Sequence, residues 1–235
     1  MATSRIEARA WLLHSTPYRE SSLVVDLFTR EHGRIAAVAK GAKRPRSALR
    51  AVLLQFQPLQ VVYSGRGELR TLTGAEWVGG LAAPQGDALL CAFYLNELLM
   101  RLLAREDPHA PLFDAYGEAI ARLGEGTALD ETLRRFEWQL LREIGYAPDL
   151  ERDAASHPIE AVRHYRWSPG SGFTACEADD ESAVSGATLH DIATGRFAST
   201  AGRQQAKYLS RAILSHHLDG APLNTRQILI DLQKL

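Results

Sequence analysis

Residues 34–63 read Arg34-Ile-Ala-Ala-Val-Ala-Lys40-Gly-Ala-Lys43-Arg44-Pro-Arg46-Ser47-Ala-Leu-Arg50-Ala-Val-Leu-Leu-Gln-Phe56-Gln-Pro-Leu-Gln-Val-Val-Tyr63. Arg34 to Ala39 has strand character. A basic loop with the Gly and Pro of an ordered turn follows. Ser47 to Leu54 then has the spacing of a short helix, with Ser47 at its N-cap, and Phe56 to Tyr63 is again a strand. Upstream, Ile6, Ala8, Ala10 and Leu12 alternate with Glu7, Arg9 and Trp11. Leu23, Val25 and Leu27 alternate with Val24, Asp26 and Phe28. Each is the period of a half-buried strand. Glu31-His32-Gly33 makes a hairpin-like entry into the third strand, and Ser64-Gly65-Arg66-Gly67 turns into a fifth, Glu68 to Val78. Five strands with a helix between the third and fourth predict an OB-fold barrel over residues 1–80. That fold commonly binds single strands on one face and its loops.

Beyond Gly79-Gly80 and Pro84 the period becomes helical, which predicts an α+β chain with a mostly helical domain over 81–235. Leu89, Phe93, Asn96, Leu99, Leu102 and Leu103 share one face of a helix from Asp87 to Glu106. A second helix runs through Phe113, Tyr116, Ile120 and Leu123, and a third from Asp130 to Ile144, stopped by Gly145. Residues 146–186 are irregular, with a small hairpin expected at His164–Trp167 and Gly172–Cys176. Leu189–Ala193, Gly202–Leu218 and Thr225–Leu232 read as helices. Leu, Phe and Trp at helical spacing are taken as core.

The charge is uneven. The net charge of −1 combines 12 Lys and Arg against 6 Asp and Glu in residues 1–80 with 15 against 22 in the remainder. From His32 to Gly67 there is no acidic residue. Within that run Lys40, Lys43, Arg44, Arg46 and Arg50 form a site suited to phosphates, with Arg34, Arg66 and, just beyond, Arg70 extending the track. A solvated basic loop, or a surface for an acidic protein, has the same composition. Trp11, Tyr18, Phe28, Phe56 and Tyr63 lie in the same region. Trp11, on the polar-facing side of its strand, is the stacking candidate for bases, although most such rings belong to the barrel core.

The motifs exclude several chemistries. There is no phosphate-binding G-x-x-x-x-G-K-[ST] loop, no G-x-S-x-G elbow and no H-E-x-x-H. His216 and His217 are adjacent and diverge on a helix. Asp179-Asp180-Glu181 lacks the spacing of a calcium loop. No catalytic residue, cofactor or metal is expected. The two cysteines, Cys91 and Cys176, imply no disulfide framework. With no apolar signal core and no stretch of ~20 apolar residues, a cytoplasmic protein without membrane contact is expected.

The chain resembles the RecO family of bacterial recombination and repair mediators. The resemblance rests on Pro17-Tyr-Arg-Glu20-Ser21, Leu27-Phe-Thr29-Arg-Glu-His-Gly33-Arg34, Val38-Ala-Lys40-Gly41-Ala, Arg46-Ser47 and Phe56-Gln-Pro58-Leu59. It continues through Gly65-Arg66-Gly67-Glu68-Leu-Arg70-Thr-Leu72 and Gly74-Ala-Glu76. In the helical part it rests on Tyr94-Leu-Asn96-Glu97-Leu98-Leu99, Leu112-Phe113 with Tyr116, Arg134-Arg135-Phe136-Glu137, Leu141 to Gly145-Tyr146, and Leu223-Asn-Thr225-Arg226-Gln-Ile228-Leu229.

The resemblance implies an OB-fold followed by a helical domain. It implies binding of single- and double-stranded DNA, association with the nucleoid, and annealing of complementary strands. Neutralising two strands at once would lower their repulsion. The implied partners are RecR, the single-stranded-DNA-binding protein SSB through its acidic C-terminal tail and, indirectly, the recombinase RecA. A tail of that kind needs an apolar pocket with a cation at its mouth, for which Arg134, Arg135, Lys207 and Arg211 are candidates; surface charge on an amphipathic helix is the alternative. Some members carry a four-cysteine zinc finger in the irregular segment. Here Leu150-Glu-Arg-Asp153 has no cysteine and Phe173-Thr-Ala-Cys176 keeps one, so no zinc is expected. An OB-fold RNA-binding protein and a non-catalytic docking scaffold share the basic loop and stay open as alternatives.

Overall fold

Alternating inward residues close the first five strands on themselves. The computed structural model describes residues 5–197, 199–225 and 227–228. Its β1 (Arg5–Tyr18), β2 (Ser22–Thr29), β3 (Gly33–Ala39), β4 (Pro58–Ser64) and β5 (Leu69–Trp77) form a closed barrel in the order β1-β2-β3-β5-β4. β3 and β5 pair in parallel, and the other ladders are antiparallel. Ala8, Ala10, Leu12, Val25, Leu27, Ile35, Ala37, Leu59, Val61, Tyr63 and Leu72 fill the interior. Between β3 and β4, α1 (Ala48–Val52) lays Leu49 and Val52 against that core. α1 is shorter than the expected helix. Ser47 holds the N-cap position, but its side chain makes no capping bond.

The outer wall of β1 and β2 is buried as well, against helices that follow the barrel. Trp11 and Phe28 face each other across the ladder and point outward. They meet Phe113 and Tyr116 of α3 (Ala110–Gly124), with ring centroids 5.3 Å apart for Trp11–Tyr116 and 5.5 Å for Phe28–Phe113. From α2 (Asp87–Leu102), Asn96 donates to the Leu13 carbonyl at 2.9 Å and accepts from the Tyr116 hydroxyl at 2.6 Å. Burial pushes the Tyr116 hydroxyl far above its ordinary pKa, so it remains a donor. The first compact unit therefore runs past the expected break at Gly79-Gly80, to Thr127. It also includes the chain returning from Leu223. There the Glu97 carboxylate accepts from the amides of Asn224 and Thr225 at 2.8 and 2.9 Å and from the Thr225 hydroxyl at 2.7 Å. Most of the expected closing helix, Thr225–Leu232, lies outside the described residues.

The second unit is Ala128–Pro222. α4 (Leu129–Glu143) ends in a Schellman turn: Gly145 takes φ +77°, with Tyr146 N–H on the Leu141 carbonyl and Gly145 N–H on that of Arg142. β6 (His164–Ser168) and β7 (Gly172–Cys176) form the expected hairpin, joined by a two-residue strand, β8 (Val184–Ser185), that the sequence reading missed. α5 (Gly186–Thr194) and α6 (Thr200–His217) are capped by Ser185 and Ser199. Gln205 of α6 accepts from both hydroxyls of the Ser185–Thr188 cap, tying α5 to α6.

Two expectations follow. Gly33 has φ +63°, and a Cβ there would lie 2.0 Å from the Asp107 carbonyl oxygen. Gly33→Ala should therefore lose more than the roughly 1–3 kcal/mol of a left-handed non-glycine residue alone, read from the denaturant midpoint. For Glu97, burial works against ionisation. The hydrogen bonds from Thr225 and Asn224, with Arg101, outweigh it and hold the carboxyl below its ordinary range. The stabilisation is complete above the ordinary carboxylate pKa and is lost as pH falls through the lower folded value. The Asn224 and Thr225 amide resonances should shift across that acid window, and the shift should vanish in Glu97→Gln.

Candidate nucleic-acid interface

Strand direction decides which cations meet. β1, β3 and β5 finish at one end of the barrel, here the upper end, where β2 and β4 begin. The basic loop leaves β3 at that end. Lys40, Lys43, Arg44, Arg46 and Arg50 are all exposed, and among the described residues none has an ion pair. The loop is nonetheless held. Lys43 N–H donates to the Ser21 carbonyl at 2.9 Å, Arg44 N–H to Gly41 at 3.0 Å and Ser47 N–H to Arg44 at 3.1 Å. Gly41, at φ +71°, supplies the turn, and Ala42 is buried beneath it. The cations project from a pinned backbone.

Ser21 belongs to the β1–β2 turn, so this turn lies beside the loop. It carries exposed Arg19, whose guanidinium sits 5.1 Å from the centre of the Tyr18 ring. The sequence places Tyr18 among the region's aromatics but favours Trp11 over it, and Arg19 is not among its candidates, although Pro17-Tyr-Arg-Glu20 marks the turn. Trp77 was also passed over. It ends β5 at the upper end, opposite Leu59, and is 55% exposed. Its position at the last residue of a strand, just before Gly79-Gly80, is the signal that its ring has no neighbour beyond it.

Trp11 must be corrected. It is 4% exposed, because the polar-facing side of β1 is the side that α3 covers. It is core and offers no face to a base. Arg34, Arg66 and Arg70 do not extend the loop's track either, since they lie at the lower end, where β3 and β5 begin. Arg66 is exposed in the β4–β5 turn. Arg70 pairs with Glu106 at 2.7 Å and lies over the Tyr63 ring. Arg34 and Arg105 share one carboxylate, Asp26, at 4.0 and 3.2 Å.

In the second unit Arg134 is also corrected. Its side chain is 3% exposed, bonded to Glu137 at 2.7 Å and to the Ser210 hydroxyl at 3.0 Å. Such a buried pair is structural, and removing one partner typically loses about 3–5 kcal/mol. Arg135 and Arg211 are exposed and Lys207 is half-buried; Arg135 pairs with Glu131 and Lys207 with Asp130.

Where a zinc finger stands in some family members, the residues do not fit one. Asp153 accepts from the amides of Ala155 and His157, Ala154 N–H bonds the Phe173 carbonyl, and Cys176 is the segment's one thiol. Burial, with Asp180 nearby, pushes that thiol's pKa up. Among the described residues no three His, Cys, Asp or Glu side chains converge on a metal position, and no helix is long and apolar enough to cross a membrane.

The comparisons agree with this architecture. The family model for the recombination protein O N-terminal domain matches residues 1–81, and that for its C-terminal domain matches 83–227. A protein named DNA repair protein RecO from Burkholderia pseudomallei is 52% identical over 97% of this chain and 84% of its own length. Its namesake from Ralstonia nicotianae is 51% identical over 96% and 84%. That of Polynucleobacter asymbioticus is 48% identical over the full length of both. With both domains matched and half the residues shared, the chain belongs to the RecO family of DNA repair and recombination proteins.

Proposed function

We propose that this chain binds single-stranded DNA across the upper end of its barrel and uses that grip to anneal complementary strands during recombinational repair. One observation carries the reading: five exposed cations, none paired with an acid among the described residues, stand on a loop and the short helix after it, and the loop's backbone is bonded to the neighbouring turn. Unpaired cations release phosphate counterions at full effect, and a pinned loop loses little entropy on binding. Trp77 and Tyr18 supply ring faces at the same end, so bases have a place to stack without sequence preference. Double-stranded DNA meets the same cations through its phosphates. Exposed Arg135 and Arg211, with half-buried Lys207, suit the acidic tail of SSB, which would exchange with Glu131 and Asp130 as the anionic partner. RecR and, through it, RecA are the partners that family membership suggests for delivering a recombinase to covered DNA. The work is done by binding alone, without a cofactor, in the cytoplasm.

Anisotropy of a labelled single-stranded DNA oligomer across a salt series tests the reading. Changing Lys43, Arg44 and Arg46 together to Ala should reduce the salt slope by about 2, at roughly 0.7 per lost phosphate contact on a single strand. Unchanged affinity and slope would place the DNA elsewhere, and a strong preference for RNA of equal length would favour an RNA-binding role. Trp77→Ala should weaken binding by about 1–3 kcal/mol while leaving the slope alone. Trp11→Ala should do the reverse: about 3–5 kcal/mol of folding stability lost, with affinity kept in the folded fraction.

A further inference from the structure

The lower end of the barrel holds a second concentration of arginine that the single-strand grip does not use. A cavity of about 280 Å³ opens there, lined by Arg34, Ile35, Gly67, Glu68, Arg105 and Glu106. The segment after α2 closes one side, with Glu106 N–H on the Arg34 carbonyl at 3.0 Å. Three guanidiniums, Arg34, Arg70 and Arg105, face two carboxylates, Asp26 and Glu106. Glu68 also lines the cavity, so the three guanidiniums meet three carboxylates, with exposed Arg66 in the same turn as Glu68. Donors are nonetheless left over: Arg34 Nε and Arg70 Nε are buried with no hydrogen-bond partner among the described residues. Burial, and then the Arg105 guanidinium, draw the Arg34 pKa down against the pull of Asp26, as expected where two cations crowd one acid. Buried donors are seldom left unmet without a reason.

We infer that this cavity is a second phosphate site, which takes one backbone phosphate of a second DNA strand. Arg34 and Arg105 are its ligands, and Arg66 stands at its entrance. Guanidiniums suit the multi-acceptor face of a phosphate diester. The distance favours a separate strand. β3 spans seven residues from Gly33 to Ala39, about 20 Å at ~3.3 Å per residue. That is beyond the Debye length of about 8 Å at physiological salt, so strands held at the two ends scarcely repel each other. The inference rests on the DNA-binding reading and adds to it how two strands are received.

The test uses the full chain. In the unaltered protein, Arg34 Nε–H should shift saturably on titration with inorganic phosphate or thymidine dinucleotide, and shift again when a second strand joins a complex already saturated with single-stranded DNA. Arg105→Gln should slow annealing of complementary oligomers about tenfold and keep single-strand affinity within about twofold, because the loop's phosphate contacts are untouched. A response to inorganic phosphate that disappears when DNA is present would make this a free-phosphate site and overturn the second-strand assignment. So would annealing at the parent rate in Arg105→Gln, and so would an Arg34 resonance that never moves. The basic-loop variant separates the two readings. If it binds single strands normally, the grip assigned to the upper end fails, whatever Arg105 does.

Discussion

The Leu13 carbonyl is where the first unit is held together. β1 leaves β4 after Trp11, and its register to β2 slips between Leu12 and His14. A bulge of this kind leaves a main-chain group without a ladder partner. Asn96 Nδ2 and Gln55 Nε2 both donate to that oxygen. Asn96 reaches it only because Tyr116 holds the other end of its amide, and Tyr116 is held by packing on Trp11 and Phe28. A defect in one strand thus specifies where two helices sit. The aromatic contacts give the apolar burial, about 1.5–3 kcal/mol for each large side chain. The hydrogen bonds fix the register, since a buried donor left without its acceptor costs about as much again.

The strand that carries this bulge also leads to the interface. Beyond it, β1 continues on β2, which β3 still flanks as far as Leu23, to the turn at Arg19. The basic loop bonds to that turn at Ser21 and, less closely, to Ser22, whose hydroxyl accepts from Gly41 N–H at 3.4 Å. A loop of four like charges, with Arg50 just beyond it in α1, repels itself and gains nothing from ordering in isolation. Its order is supplied by the neighbouring turn. Fold and site are linked at this point: the bulge offers the carbonyl that seats Asn96 of α2, the same β1–β2 pair runs on to the turn, and the turn holds the loop.

Much of this was legible in the sequence, and the misses share one cause. Strand and helix positions follow from period, because period reports which side of an element is apolar. Period cannot say what lies on the other side. Trp11 stands opposite the barrel core and so reads as facing water, yet Ala10-Trp-Leu-Leu13 is a continuous apolar run, the pattern of a strand buried on both faces. Arg134 failed for the same reason. Its partner Glu137 is only three residues away, but Ser210 comes from another helix, and neither spacing nor charge announces that the pair is enclosed. Trp77 is the opposite case: the sequence shows it next to the end of a strand, before Gly79-Gly80, but only the structure shows that its ring is exposed there.

The acid-free run from His32 to Gly67 shows why charge read along the chain and charge in space differ. All its cations look alike in sequence. In the fold those from Lys40 to Arg50 leave the sheet and meet no acid among the described residues. Arg34, within the sheet, meets Asp26 from the preceding strand and Arg105 from a segment about seventy positions away. The run's formal charge therefore divides into an uncompensated patch at one end of the barrel and a nearly balanced cluster at the other. A nearly balanced cluster is a poor non-specific binder, because its own carboxylates compete for the same donors. It is a selective one, because only a group that fits between Arg34 and Arg105 recovers the desolvation already spent on them. In the proposed reading the open loop admits any phosphate backbone, whereas the lower cavity asks for a group that meets Arg34 and Arg105 together. Two ends of one barrel, built from one basic stretch, thereby acquire different electrostatic surroundings from their tertiary neighbours alone.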